Sequence, residues 1–246
     1  MTGGCVCDMM FIRFYRKEVV SVTYHAIKKG IFLSRPNRFI ALVEIDGKEE
    51  VCHVKNTGRC RELLISGATV YVEVANNPER KTKYDLIVVQ KGERLINMDS
   101  QAPNRAFLEW APKFFGEDAK IIPEKTYGKS RFDFYVETAD GKQSFVEVKG
   151  VTLEQNGVVM FPDAPTERGV KHIKELCRCA EDGYGAYLFF VVQMKGVTHF
   201  IPNEETHPEF ACALKEAKKW GVSVYALDCE VSPEKMVISE FVKVVL

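Results

Sequence analysis

Apolar and polar positions alternate in short runs over the first hundred residues and in longer, mixed periods after that. Residues 39–45, 50–54, 69–74 and 84–89 each read as a strand. Asp46-Gly47 and Asn76-Asn77-Pro78 mark turns between them, and residues 61–64 offer one helical turn. About five short strands with one small helix, from about residue 19 to 98, suit a compact barrel of the oligonucleotide-binding (OB) type. Residues 1–18 read as a loose lead-in. After Asp99 the rhythm changes. A helix is expected over about 104–115, and strands near Ile121, Phe132 and Phe145. A helix capped by Thr166 should run to about Glu181, followed by a strand at 186–193, a helix at 208–220 and a strand at 222–227. The expectation is an α/β (α+β) chain: residues 1–98 carry the lead-in and barrel, and 99–246 a mixed α/β domain packed against it.

The stretch richest in chemistry is Ser130-Arg131-Phe132-Asp133-Phe134-Tyr135-Val136, then Phe145-Val146-Glu147-Val148-Lys149. Asp140-Gly141 between two apolar runs is a strong hairpin signal. Alternation puts Glu147 and Lys149 on one face, and Asp133 on the partner strand can reach that face. An ordinary amphipathic hairpin would explain the same charges by cross-strand pairing worth a few tenths of a kcal/mol. The second strand is apolar almost throughout, however, which argues for burial on both sides. Buried carboxylates need partners, and a divalent metal supplies one. Oxygen donors favour Mg²⁺, with Mn²⁺ as a substitute, so Asp133 and Glu147 are expected as ligands and Lys149 as the group steadying water or phosphate. The plainer alternative keeps Lys149 as a counterion of Glu147.

With 246 residues, 46% of them hydrophobic, the chain can bury one substantial core or two modest ones. Net charge is zero, but residues 1–98 hold 16 Lys+Arg against 11 Asp+Glu, leaving the front half basic by about five. Cys5/Cys7 and Cys177/Cys179 have C-x-C spacing, which lacks the two-residue gap of a zinc knuckle. Cys177, Cys212 and Cys229 read as reduced core residues. No secretory leader or membrane-length apolar run is evident, so a cytoplasmic protein without a membrane partner is expected.

The order helix, three strands, helix, strand, with Asp133, Glu147 and Lys149 on consecutive strands, resembles the PD-(D/E)xK nuclease superfamily. A longer set of motifs narrows the likeness. Arg35-Pro36-Asn37-Arg38-Phe39, His53-Val54-Lys55-Asn56-Thr57-Gly58-Arg59, Ser130-Arg131-Phe132-Asp133-Phe134, Glu147-Val148-Lys149-Gly150-Val151-Thr152-Leu153, Phe161-Pro162-Asp163-Ala164 and Thr166-Glu167-Arg168-Gly169-x-Lys171-His172 together resemble the sugar fermentation stimulation protein (SfsA) family. Cys60 departs from the larger apolar residue expected there. The resemblance implies an N-terminal OB-type barrel, a PD-(D/E)xK nuclease-like domain and DNA as partner, single- or double-stranded. It also implies the Val148 backbone carbonyl as a further metal ligand, and Glu109 on the preceding helix as another; a solvent-facing Glu109 is the competing reading. The family name records a phenotype in sugar metabolism.

Two functional expectations follow. One is a Mg²⁺-dependent nuclease hydrolysing DNA phosphodiesters by metal-activated water; the other is a non-catalytic DNA-binding regulatory protein on the same scaffold. A third and weaker one is a protein handling a phosphorylated small molecule. DNA contacts are expected from Arg35, Arg38, Lys55, Asn56, Arg59 and Arg61, with Gly58 admitting a phosphate, and from Arg80, Lys81 and Lys83 beside Tyr84. The helix start adds Arg168, Lys171 and His172, the last of which could equally be a plain surface histidine. A homodimer is compatible with the sequence, which leaves oligomeric state open.

Overall fold

The computed structural model describes residues 22–56, 58–77 and 79–246. The expected lead-in, Cys5 and Cys7, and the motif residue Thr57 lie outside these. β1 (Val22–Thr23) precedes a run of six strands: β2 (Ile27–Asn37), β3 (Ile40–Ile45), β4 (Lys48–Val54), β5 (Thr69–Val74), β6 (Tyr84–Lys91) and β7 (Arg94–Asn97). Antiparallel pairing runs β4-β3-β2-β5-β6, and a parallel pairing of β4 with β6 closes the ring into the expected five-stranded OB-type barrel. Closure hides the sheet edges, and alternation fills the inside: Val43, Cys52, Val54, Val70, Val72 and Leu86 are all buried. The Asp46-Gly47 turn joins β3 to β4 with both residues at positive φ. The expected helical turn is present as a tight turn, in which Leu63 and Leu64 both donate to the Cys60 carbonyl.

The second half begins with α1 (Ala102–Phe115), two residues earlier than periodicity suggests, with Pro103 in its first turn, where a missing N–H costs nothing. Then come β8 (Lys120–Tyr127), β9 (Ser130–Glu137), β10 (Gln143–Val151), β11 (Leu153–Gln155), β12 (Val158–Phe161), α2 (Glu167–Glu181), β13 (Gly185–Val192), β14 (His199–Pro202), α3 (Pro208–Lys219), β15 (Ser223–Ser232) and β16 (Lys235–Val244). The sheet order is β8-β9-β10-β13-β15-β16-β14-β12-β11, with β1 added to β16. The three central strands β10, β13 and β15 run parallel. Helices cover both faces. On one side Phe107 of α1 packs on Phe134 and Phe189, with ring centroids 5.2 and 4.8 Å away. On the other, Phe210 of α3 packs on Phe161 at 5.2 Å, beside α2.

In the α/β half four strands went unread in the sequence: β11, β12, β14 and β16. Three of them have only three or four residues, too few for a period to register. The β11–β12 turn is Asn156-Gly157, with both residues at positive φ, a signal that was there to be used. The six described cysteines are free; Cys229 is buried and Cys177 half-buried, but Cys212 is exposed on α3, not in the core. Among the described residues no helix is long and apolar enough to cross a membrane.

The barrel and the α/β half are fastened polar group to polar group. Gln193 donates to the Asn97 and Asp99 carbonyls at 3.0 and 3.1 Å, and its own carbonyl accepts from Asn97 N at 2.9 Å. Buried Asp99 takes Lys55 at 3.0 Å and Arg105 at 2.8 Å. Buried Glu154 takes Lys91 and Arg94 from the barrel, each at 2.8 Å.

Candidate functional site

The Asp140-Gly141 turn forms as expected, with Thr138 N donating to the Lys142 carbonyl at 3.0 Å. From there β9 and β10 pair from Gln143 opposite Glu137 to Val146 opposite Phe134. The next pair would be Glu147 opposite Asp133, and here the strands fork. Val148 N donates not to a strand carbonyl but to Asp133 Oδ2, at 2.8 Å. The backbone twists at the same point. Phe132 joins the core under α2 while Phe134, only two residues on, joins the core under α1. Both carboxylates therefore sit in the crotch of the fork.

Asp133 Oδ1 accepts from Asn104 Nδ2 of α1 at 2.9 Å. Burial, and then the neighbouring Glu147 charge, push the Asp133 carboxyl above its ordinary range despite Val148 N–H and Lys149. The two carboxylates are thus near enough to feel each other. Glu147 is 2% exposed. Its Oε1 accepts from Lys149 Nζ and from His172 Nδ1. Burial alone would raise Glu147, but His172 and Lys149 outweigh it and hold the carboxyl below the usual range. Its Oε2 is buried and has no hydrogen-bond partner. Since a buried carboxylate oxygen rarely goes unpaired, this orphan atom beside a second carboxylate fits a cation. Val148 lies in an extended strand, where N–H and C=O of one residue face the same way, so its carbonyl is directed toward the same fork.

The expected fourth ligand is not there. Glu109 is exposed on α1. It lies five residues from Asn104, about 140° around the helix, so the two cannot face one site. Asn104, which sequence reasoning passed over, is the α1 residue that reaches Asp133. Among the described residues no three His, Cys, Asp or Glu side chains gather as a metal-holding group.

At the start of α2, Thr166 caps the helix as expected, its Oγ1 accepting from Gly169 N at 3.1 Å. His172 is buried against Glu147 and so is no DNA-facing histidine. Arg168 is exposed, and its Nε donates to His172 Nε2 at 3.4 Å. Lys171, also exposed, donates to the Lys129 carbonyl at 3.1 Å.

Several expected DNA contacts are spent on the fold. Both terminal nitrogens of Arg35 are consumed by the carbonyls of Arg38, Asn56, Gly58 and Arg59, at 2.7–3.0 Å, so Arg35 shapes a loop. Lys55 is bound to Asp99, and Asn56 Oδ1 accepts from Gly58 N at 2.8 Å. Arg80 forks onto Asp85 at 2.9 and 2.8 Å. Gly58 is closely approached by Asp163 of the α/β half: a Cβ there would come within 2.5 Å of Asp163 Oδ2. Of the expected contacts in the barrel, Arg38, Arg59, Arg61, Lys81 and Lys83 remain accessible. Arg38, Arg59 and Arg61 line an open groove of about 530 Å³. Phe39, half exposed, lies 5.9 Å under the Arg38 guanidinium and is an aromatic that the sequence reading left out of the list. Tyr84 packs partly into the barrel core. Where β10 leaves the fork, Gly150 is pressed between Gln193 and Pro103; a Cβ would come within 2.6 Å of Gln193 Oε1 and 2.7 Å of Pro103 Cγ. A cavity of about 120 Å³ opens beside it, between Asn56 and Ser100 on one side and Thr152 and Asp163 on the other.

Comparison with known proteins agrees with this architecture. A family model described as the SfsA N-terminal OB domain matches residues 33–98, and one described as the sugar fermentation stimulation protein RE domain matches residues 101–235. A sugar fermentation stimulation protein homolog of Desulfitobacterium hafniense (strain Y51) is 59% identical over 224 residues, covering 91% of this chain and 98% of that protein. One from Clostridium beijerinckii is 59% identical over 225 residues, covering 91% and 99%. The solved structure of Pyrococcus furiosus SfsA in complex with Ca²⁺ is 33% identical, with a TM-score of 0.81 over 91% of this chain and 98% of that one. The chain belongs to the sugar fermentation stimulation protein (SfsA) family.

Proposed function

We propose that this protein is a divalent-cation-dependent nuclease that binds DNA and hydrolyses its phosphodiester bonds. The observation carrying the reading is Glu147 Oε2, buried and unpartnered beside the half-buried carboxylate of Asp133. Leaving such an atom unpaired costs about 1–3 kcal/mol or more, and a cation removes that cost. Asp133, Glu147 and the Val148 carbonyl would hold it, and an all-oxygen set favours Mg²⁺, or Mn²⁺ in its place. The Pyrococcus relative, described in complex with Ca²⁺, supports a hard cation. When bound, such a cation lowers the pKa of coordinated water and offsets phosphate charge.

The chain's own groups do the rest. Lys149 is anchored on Glu147 and offers its ammonium to orient the attacking water or steady the phosphate. Arg38, Arg59 and Arg61 in their groove, with Lys81 and Lys83, take backbone phosphates without reading sequence. Arg168 and Lys171 add positive charge in the first two turns of α2, the helix whose His172 reaches the fork.

A second reading is a DNA-binding regulatory protein that does not cut. It is favoured by the absence, among the described residues, of a group of three metal-holding side chains. Labelled single- and double-stranded DNA incubated with and without Mg²⁺ separates the two. Cutting that needs Mg²⁺ and is lost in Glu147→Ala, while binding persists, supports cleavage. Salt-sensitive binding with no cutting supports the regulator. If neither DNA form binds at low salt, both readings fail.

A further inference from the structure

We infer that His172 is a positioning residue that sets Glu147 for cation capture, and that Arg168 fixes the tautomer in which it does so. This rests on the cation reading above. Arg168 and His172 are one helical turn apart on α2 and share a face. The His172 ring is buried, edge-on to Phe132 at 6.0 Å, with Nδ1 on Glu147 Oε1 and Nε2 on Arg168 Nε. A guanidinium can only donate, so Nε2 must accept. The ring proton is therefore on Nδ1 and is donated to Glu147.

That order has a consequence for the carboxylate. Oε1 is engaged from two sides, by His172 from the helix and Lys149 from the strand, which fixes the rotation of the carboxyl group. Oε2 is then held out as the unpartnered atom. His172 touches neither water nor phosphate in this scheme; it acts through Glu147. Partners of this kind to a metal ligand typically change metal affinity by about 10- to 100-fold when removed.

Titrating the full chain with Mn²⁺, read by the EPR signal of free ion, tests the inference in His172→Leu, His172→Asn and Arg168→Met, with thermal midpoints recorded for each. His172→Leu should weaken Mn²⁺ binding by about 10- to 100-fold. His172→Asn, which returns an N–H near the position of Nδ1, should recover most of it. Arg168→Met alters an exposed side chain, so the fold survives, and it should weaken binding in the same direction by less. The ring ¹⁵N spectrum of His172 should show Nδ1 protonated and Nε2 bare. Unchanged affinity in Arg168→Met and His172→Leu, an Asn variant no better than Leu, or the opposite tautomer would each overturn the inference. If the unaltered protein takes up no Mn²⁺, the cation reading itself falls, and the inference with it.

Discussion

Asp133 and Glu147 each lean on a side chain from a different helix, Asn104 from α1 and His172 from α2. Asn104→Ala should therefore lower Mg²⁺-dependent cleavage by about 10- to 100-fold, as loss of a ligand's supporting bond does. Stability should fall by only about 1 kcal/mol, the usual worth of one hydrogen bond, in urea unfolding. Equal cleavage in the variant would mean that Asp133 needs no such support. The two acids and Lys149 could be picked from the sequence because strand alternation has a fixed period and an Asp-Gly turn sets the register. Asn104 could not, because the phase of a helix about its axis depends on which apolar face is buried; the choice of Glu109 was a phase error. His172 was misjudged for a related reason. A lone histidine near basic residues reads as surface until the helix is docked on the sheet.

Among the elements, α2 was the most legible: Thr166 and Glu167 spell a helix start, and the helix runs from Glu167 to Glu181 as expected. Thr166→Ala removes the bond to Gly169 N and should cost about 1 kcal/mol, read as a lower urea midpoint with an unchanged slope. A larger effect is expected at Gly150 of β10. Gly150→Ala should cost about 1–3 kcal/mol, because Gln193 and Pro103 both have to shift. A neutral alanine would show that this stretch yields more easily than its packing suggests. The strands of the α/β half that stayed hidden were the three shortest, with too few residues for a period to register, and β16, whose outer half is largely exposed and shows no alternation.

Across the whole molecule, the basic residues once expected on the DNA are divided between holding the protein together and facing outward. Lys55 joins the halves through Asp99, as Lys91 and Arg94, which were not among the expected DNA contacts, do through Glu154. Sequence cannot tell a phosphate-binding lysine from one whose carboxylate partner lies 63 residues away, as that of Lys91 does. Glu154 gives this junction a pH dependence. Burial pushes its carboxyl up, but Lys91, the Gly157 amide and Arg94 outweigh that and hold it below the usual range. Its stabilising contribution is then complete above the unfolded glutamate value, near about pH 4.3, and fades as pH falls through the lower folded value. The stability difference between the unaltered protein and Glu154→Gln, from urea unfolding at several pH values, should be greatest near neutrality and shrink on acidification below that point. A difference independent of pH would remove the ion pair from the account. The most direct test of the metal centre is anomalous scattering from crystals soaked in Mn²⁺. The account requires a peak bounded by the carboxylates of Asp133 and Glu147; a fork with no peak, or Mn²⁺ bound only elsewhere, would contradict it.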